Sequence, residues 1–323
     1  ATLHSFLFDT GAFQSKVEYR LSETLKLKTI SKRDNGTAQG IKRVIEITTV
    51  DSIRLSTAGF FNIAAGKLKY DSKSYSPCLA EDGIIGANLI KLAHWKIDYQ
   101  NKELTASQKP ILPSEGTKQL KIDFSRSFLS GIPEIALEIN GQIINDVIFD
   151  VGFNGGLVVP YRFAEKFQFA KTQTVIDRST AGIFGANLDT LLIKQLNVKL
   201  GDFQADIPVE FSSLNKALLG NDFLEHFMVY MDFEDDKIIL EAITPIEIDK
   251  TKPFVPGILN DSLWVVNRTH PKIPISIGDT LVSINGQRPR ELFKTHCDYF
   301  LTIGKLLESE ELLIETKNGN KIN

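Results

Sequence analysis

The chain of 323 residues holds only two cysteines and five histidines. Cys78 and Cys297 lie far apart, in what read as different domains, so their spacing gives neither a disulfide framework nor a thiolate metal site. His4, His94, His226, His270 and His296 never pair at the spacing that puts two ligands on one helix face. Each is read as a surface or packing residue, and no metal is expected. No stretch reaches the 18 or so apolar residues needed to cross a bilayer, and no charged-then-apolar leader opens the chain. A net charge of -3 without basic clustering argues against a nucleic-acid partner. There is no G-x-S-x-G, and "GFFNIAAGKL" (59–68) fails as a phosphate loop because its glycines are too far apart and Leu68 replaces the hydroxyl residue.

What the chain does have is a repeat. "FLFDTGA" at 6–12 returns as "VIFDVGF" at 147–153, each an apolar strand running into Asp-x-Gly. "DGIIGANLIKLAHWKIDY" at 82–99 returns as "KALLGNDFLEHFMVYMDF" at 216–233, with Gly86 and Asp98 twelve residues apart, as are Gly220 and Asp232. Each half therefore reads as strand, Asp-x-Gly turn, β-hairpins, an apolar-apolar-Gly strand end, a short helix and a closing strand pair. Alternation places hairpins around Gly201-Asp202, Gln100-Asn101 and the Asn140-Gly141 turn. "ANLIKLAH" and "NDFLEHF" read as helices, with Asn88 and Asn221-Asp222 expected to cap their first amides. Asp98 and Asp232 read as structural turn residues, and "DFEDDK" at 232–237 as a solvated turn. "QKPILPSEGTK" at 108–118 is Pro- and Gly-rich and reads as the linker. The hairpin that precedes Asp150 has no counterpart before Asp9, so a further segment ahead of position 1 is expected.

A lone carboxylate at the tip of an apolar strand is costly unless something compensates it. Two of them, brought together by a pseudo-twofold axis, cannot both ionise, and so share a proton. The paired motifs resemble the pepsin-like and retropepsin-like aspartic proteases over roughly residues 1–245: Asp9-Thr10-Gly11-Ala12 matches that family's loop fully, Asp150-Val151-Gly152 matches it except in the middle, and Ile84-Ile85-Gly86 and Leu218-Leu219-Gly220 match the apolar-apolar-Gly strands. The resemblance implies a mainly β chain with two pseudo-symmetric acid-protease β-barrel lobes, residues 1–112 and 113–247. Asp9 and Asp150 are the implied catalytic pair, with Thr10, Gly11, Val151 and Gly152 supporting them, a peptide or protein as substrate and no cofactor. Family members lock the loops together with a threonine hydroxyl, which Val151 lacks; either that costs about 1 kcal/mol and leaves activity intact, or the site is loosened or inactive. Flexible hairpins that close over the peptide have candidates in "RDNGTAQG", with Gly36 and Gly40, and "STAGIFGAN", with Gly182 and Gly185; ordinary exposed hairpin turns are the plain alternative. One candidate per half looks like a retropepsin dimer fused in one chain, complete as a monomer.

Residues 253–323 fall outside the repeat. "ISIGDTLVSINGQRP" at 275–289 and "ELLIETKNGN" at 311–320 resemble strands of PDZ domains, with "PRELFKTHCDYF" as the intervening helix, and a peptide C-terminus is the implied ligand. A packing module that buttresses the protease halves reads equally well. The leading expectation is an aspartic endopeptidase. A peptide-binding adaptor that kept the fold and lost hydrolysis is the alternative, and a two-carboxylate glycosidase a weaker third. Bacterial relatives that join such a domain to a PDZ domain often enter the cell envelope, which points to an envelope, periplasmic or secreted location.

Overall fold

Alternating apolar and polar residues dominate the chain, and the protein is mainly β, with 50% strand and 14% helix. The computed structural model describes residues 2–37, 40–71, 74–114, 116–126, 131–167, 173–177, 181–182, 185–186, 188–245, 254–259, 263–307, 312–317 and 321–322. Parts of the linker, of both glycine-bearing hairpins and of the 311–320 segment lie outside these residues. The chain gathers into two units: Ala1–Lys69, Ala80–Gln168 and Gln195–Asp249 form one, and Tyr70–Leu79, Phe169–Lys194 and Lys250–Asn323 the other.

In the first unit the sequence repeat is matched by a repeat of strand order. β1 (Phe6–Phe8) runs parallel to β6 (Gly83–Ile85), and β6 pairs antiparallel with β2 (Lys16–Glu18). β2 is parallel to β5 (Ala58–Leu68), which pairs with β4 (Lys42–Leu55), and β4 with β3 (Ser31–Gly36). After β7 (His94–Asp98), β8 (Glu103–Ser107) and β9 (Gln119–Asp123), the short β10 (Ser125–Arg126) pairs with β11 (Pro133–Ile139). β12 (Gln142–Phe149) is then parallel to β19 (Leu218–Leu219), β19 antiparallel to β13 (Leu157–Pro160), and β13 parallel to β18 (Phe203–Ser212), which neighbours β17 (Asp189–Leu200). Each half thus inserts one apolar strand end between the strand that delivers the aspartate and the strand that leaves it. β20 (Phe227–Asp232) and β21 (Lys237–Ala242) complete a five-stranded sheet, ordered β8-β7-β20-β21-β9, to which both halves contribute.

The expected hairpins form where the turn residues put them. Asp98 pairs with Glu103 across Gln100-Asn101, and Ile139 with Gln142 across Asn140-Gly141, both at positive φ (46° and 82°), as a two-residue turn that follows the strand twist requires. Asp98 and Asp232 are structural: Asp98 Oδ1 accepts the Asn101 N–H at 2.9 Å and Asp232 Oδ1 the Glu234 N–H at 2.8 Å. Of the helices in this unit, α1 (Tyr19–Thr24) and a 3-10 turn (Tyr161–Lys166) follow β2 and β13. The other two, α3 (Ala87–Ile90) and α4 (Asn221–Leu224), are shorter than their sequences suggest. Contrary to expectation, neither is capped by a side chain; the N-cap residues are Gly86 and Gly220.

In the second unit, β22 (Val255–Leu259), β23 (Leu263–Thr269), β24 (Thr280–Ile284), β25 (Ile314–Thr316) and β26 (Lys321–Ile322) pair successively in antiparallel fashion. β14 (Gln173–Asp177) joins this sheet beside β23, where the Arg268 Nε–H donates to Asp177 Oδ1 at 2.8 Å. The single helix expected after β24 is two: α5 (Pro289–Leu292) stops and α6 (His296–Leu306) restarts at Thr295, whose hydroxyl accepts the Asp298 N–H. Trp264, Val266, Leu281, Ile284 and Tyr299 form the core beneath α6.

The two cysteines, which sequence spacing left unpaired, form a disulfide, Cys78–Cys297. Its cause is an excursion of the chain: residues 74–79, including α2 (Ser76–Leu79), leave the repeat and pack on α6, where Tyr75 stacks on His296 at 4.1 Å and on Phe300 at 4.9 Å. Among the described residues no helix is long and apolar enough to cross a membrane.

Candidate active site

Asp9 and Asp150 each leave the end of a strand whose last hydrogen bond is made to the inserted apolar strand. The Asp9 N–H donates to Ile85 O at 3.0 Å and the Asp150 N–H to Leu219 O at 2.9 Å. Both turns then fold back on their own carboxylates: the Ala12 N–H donates to Asp9 Oδ1 at 2.8 Å and the Gly152 N–H to Asp150 Oδ1 at 2.9 Å. A Cβ added to Gly11 would lie 2.3 Å from Asp150 Oδ2, and one added to Gly152 would lie 2.4 Å from Asp9 Cγ. Each carboxyl therefore occupies the space that the opposite glycine leaves, which is why the motif needs glycine there. Each carboxyl thus lies against the loop that carries the other.

One threonine ties the loops together. The Thr10 hydroxyl, fully buried, donates to Phe149 O at 2.5 Å and accepts the Val151 N–H at 3.0 Å. Val151, also buried, has no hydroxyl to return the interaction and contributes packing alone. Two asparagines brace the turns from behind, which is what they do instead of capping helices. Asn88 Oδ1 accepts the Ser15 N–H at 2.7 Å, while its Nδ2 donates to Ala64 O. Asn221 Nδ2 donates to Val151 O at 3.0 Å, and its Oδ1 accepts the Tyr99 hydroxyl at 2.7 Å.

Both aspartates keep some exposure at the surface of the site, yet protein atoms surround them closely enough that loss of solvation dominates their titration. Burial pushes Asp9 above the usual carboxylate range, and the nearby charge of Lys16, with the Ala12 and Gly11 amides, pulls it partly back. Asp150 is raised further, by burial first and then by the charge of Asp9 beside it. The pair thus holds one proton between its two carboxyls over a wide range. Lys16 was not among the residues that sequence motifs single out. A usable signal existed: "KVEYRL" at 16–21 repeats as "VVPYRF" at 158–163, with a lysine where the second half has Val158.

The first glycine-bearing hairpin belongs to the unit that holds the dyad. Gly36 pairs with Lys42, and the turn closes through Thr37 N–H to Ile41 O and Gly40 N–H to Thr37 O. Gly40 has φ +79°, and a Cβ there would lie 3.8 Å from Asn215 Nδ2, so this hairpin tip reaches the second half of the repeat. Residues 38–39 lie outside the described residues. Gly182 and Gly185 pair across a minimal hairpin of β15 (Ala181–Gly182) and β16 (Gly185–Ala186), which belongs with the C-terminal unit; residues 178–180, 183–184 and 187 lie outside the described residues. Among the described residues no group of three or more His, Cys, Asp or Glu is arranged to hold a metal ion. No protein-family model matches the sequence, and no curated protein matches it.

Proposed function

We propose that the protein is an aspartic endopeptidase of the two-lobed kind, with Asp9 and Asp150 as its catalytic pair. The observation that carries this reading is the seating of the two half-buried carboxyls, each over the other loop's glycine. In this chemistry the ionised Asp9 takes a proton from a water held between the two groups, and the water oxygen attacks the peptide carbonyl carbon. Asp150 gives its proton to the carbonyl oxygen. When the tetrahedral intermediate collapses, Asp150 recovers a proton from the gem-diol, Asp9 passes its own to the leaving amine, and the carbon–nitrogen bond breaks. The first hairpin, with Gly36 and Gly40, is the flap candidate that this reading favours, because its tip reaches the second half. The C-terminal strands and α6 are read as a PDZ-like module. The Cys78–Cys297 disulfide supports an oxidising compartment, in keeping with an envelope or secreted location.

Val151 favours one second reading: a peptide-binding protein on the same scaffold in which the loops are held from one side only and hydrolysis is lost. Incubation with a mixed peptide library from acidic to neutral pH separates the two. Cleavage that disappears in Asp9→Asn and in Asp150→Asn supports the peptidase. Peptide binding without cleavage in the wild-type chain sinks it and leaves the adaptor.

A further inference from the structure

Counting back from the two aspartates sets the strand that delivers Asp9 against the strand that delivers Asp150: Leu3 falls on Ile144, Phe6 on Val147 and Phe8 on Phe149. Ile144, Val147 and Phe149 are fully buried. Phe6 and Phe8 are only half-buried, and Leu3 is 97% exposed. The cause lies at the strand edge. β12 is covered on one side by β11, with Ile135 opposite Val147 and Leu137 opposite Ile144, whereas β1 ends its sheet, with no described strand beyond it.

The facing wall shows the same loss. In the second half β11 goes on to pair with β17, Glu138 opposite Lys199 and Ile139 opposite Val198, which closes β11, β12, β19, β13, β18 and β17 into a ring. Counted from the hairpin turns at Gly201-Asp202 and Ser56-Thr57, the β17 residues Val198, Lys199 and Leu200 correspond to Ile53, Arg54 and Leu55 of β4. Val198 and Leu200 are buried, but Ile53 and Leu55 only half so, because β3 covers β4 from Lys42 to Ile47 and stops. Phe6 and Ile53 both pack at the rim of the cluster of Val17, Val50 and Ala65. The first half is therefore an open sheet with a seam where the second half has a strand. The Asp9 N–H is directed at Ile85 O in β6, and backbone direction alternates along a strand, so Phe6 and Phe8 turn their amides and carbonyls towards the seam. Such an edge is a template for another strand.

We infer that this seam binds an extended segment of a partner polypeptide, which adds antiparallel to β1 with apolar side chains at every second position and an acid opposite Arg54. That chemistry is read from β11, the strand seated in the equivalent place: its Ile135, Leu137 and Ile139 are buried, and its Glu138 meets Lys199, the counterpart of Arg54. Opposite charges facing each other across a strand pair favour the pairing. The inference does not rest on the peptidase reading, since the seam lies on the far edge of β1 and holds neither aspartate.

The test adds a synthetic peptide with the sequence of residues 131–139, GIPEIALEI, to the full chain carrying Asp9→Asn, so that hydrolysis cannot consume it, and follows amide hydrogen exchange by mass spectrometry. At saturation, exchange in segments 3–8 and 51–56 is expected to slow by roughly tenfold or more; a scrambled peptide should have no effect. Leu3→Lys changes a side chain that packs on nothing, so the fold should be kept while peptide affinity falls roughly tenfold or more, the worth of one buried leucine. A peptide with lysine for its second glutamate should bind about threefold more weakly. Unchanged exchange in both segments overturns the inference, as do protection confined to the turns at 9–12 and 150–153, equal binding of the scrambled peptide, or undiminished affinity in Leu3→Lys. Undiminished affinity of the lysine peptide refutes the pairing with Arg54. Protection of both segments before any peptide is added also overturns it, by giving the seam to a second copy or to another part of the same polypeptide.

Discussion

Thr10→Val would delete one hydroxyl and strand two backbone groups. The Val151 N–H and the Phe149 carbonyl, both buried, would lose the partner that joins them to the first loop. At about 1–3 kcal/mol for each of the two buried groups left unsatisfied, the expected loss is about 2–6 kcal/mol, measured by urea unfolding. The reverse change, Val151→Thr, has little to correct. It adds a second hydroxyl to a site already closed from one side, and its expected gain is about 1 kcal/mol or less. A Thr10→Val loss under about 0.5 kcal/mol would show that this hydroxyl does not hold the halves together. The residues of this lock were legible in the sequence because they recur in a fixed pattern. Lys16 was not, since composition and periodicity give a lysine no sign of facing inward; only alignment of 16–21 with 158–163 exposes it. Asn88 and Asn221 were visible but assigned to the wrong amides, because a side chain at a helix start can serve its own helix or the loop beside it with the same hydrogen-bonding groups.

At the scale of elements, the aspartate turns work because each is threaded beside a strand from elsewhere in the same half. Ile85 and Leu219 accept the aspartate N–H groups, and Gly86 and Gly220 follow at once. The glycines on the other side of the turns are constrained by the opposite carboxyl rather than by backbone conformation. Gly11→Ala must push Asp150 aside, and Gly152→Ala must push Asp9 aside. Such overpacking costs about 1–3 kcal/mol, and misplacing a reacting group by about 1 Å costs on the order of 100-fold in rate. The expected result is two variants that fold, with kcat/KM for peptide cleavage reduced about 100-fold or more; near wild-type turnover in either would mean that the carboxyls do not work from these positions. Hairpins were the most legible elements, since Asn-Gly and similar turns fix both place and register. The short helices were overread. α3 stops at Ile90 because His94 already begins β7, whose pairing with β8 and β20 outweighs the helical pattern of "ANLIKLAH".

For the whole molecule, the contact that sequence could not supply is the one between residues 74–79 and α6. Cys78 and Cys297 are 219 residues apart, and nothing local marks the excursion that brings them together. A cross-link over so long a loop removes much of the unfolded chain's freedom, and loss of a native disulfide typically costs about 2–5 kcal/mol. That loss should fall first on the unit that contains both cysteines. The two tryptophans separate the units cleanly. Trp95 lies in the first and Trp264 in the second, each buried and each donating its indole N–H, to Ile90 O and Gln287 O respectively. In a Trp95→Phe background the fluorescence of Trp264 should report unfolding at lower urea once Cys78 and Cys297 are changed to serine. In a Trp264→Phe background the transition seen by Trp95 should move much less. Equal displacement of both signals would mean that the bridge stabilises the chain as one cooperative block, and no displacement of Trp264 would mean that packing of Tyr75 on α6 holds the segment without it.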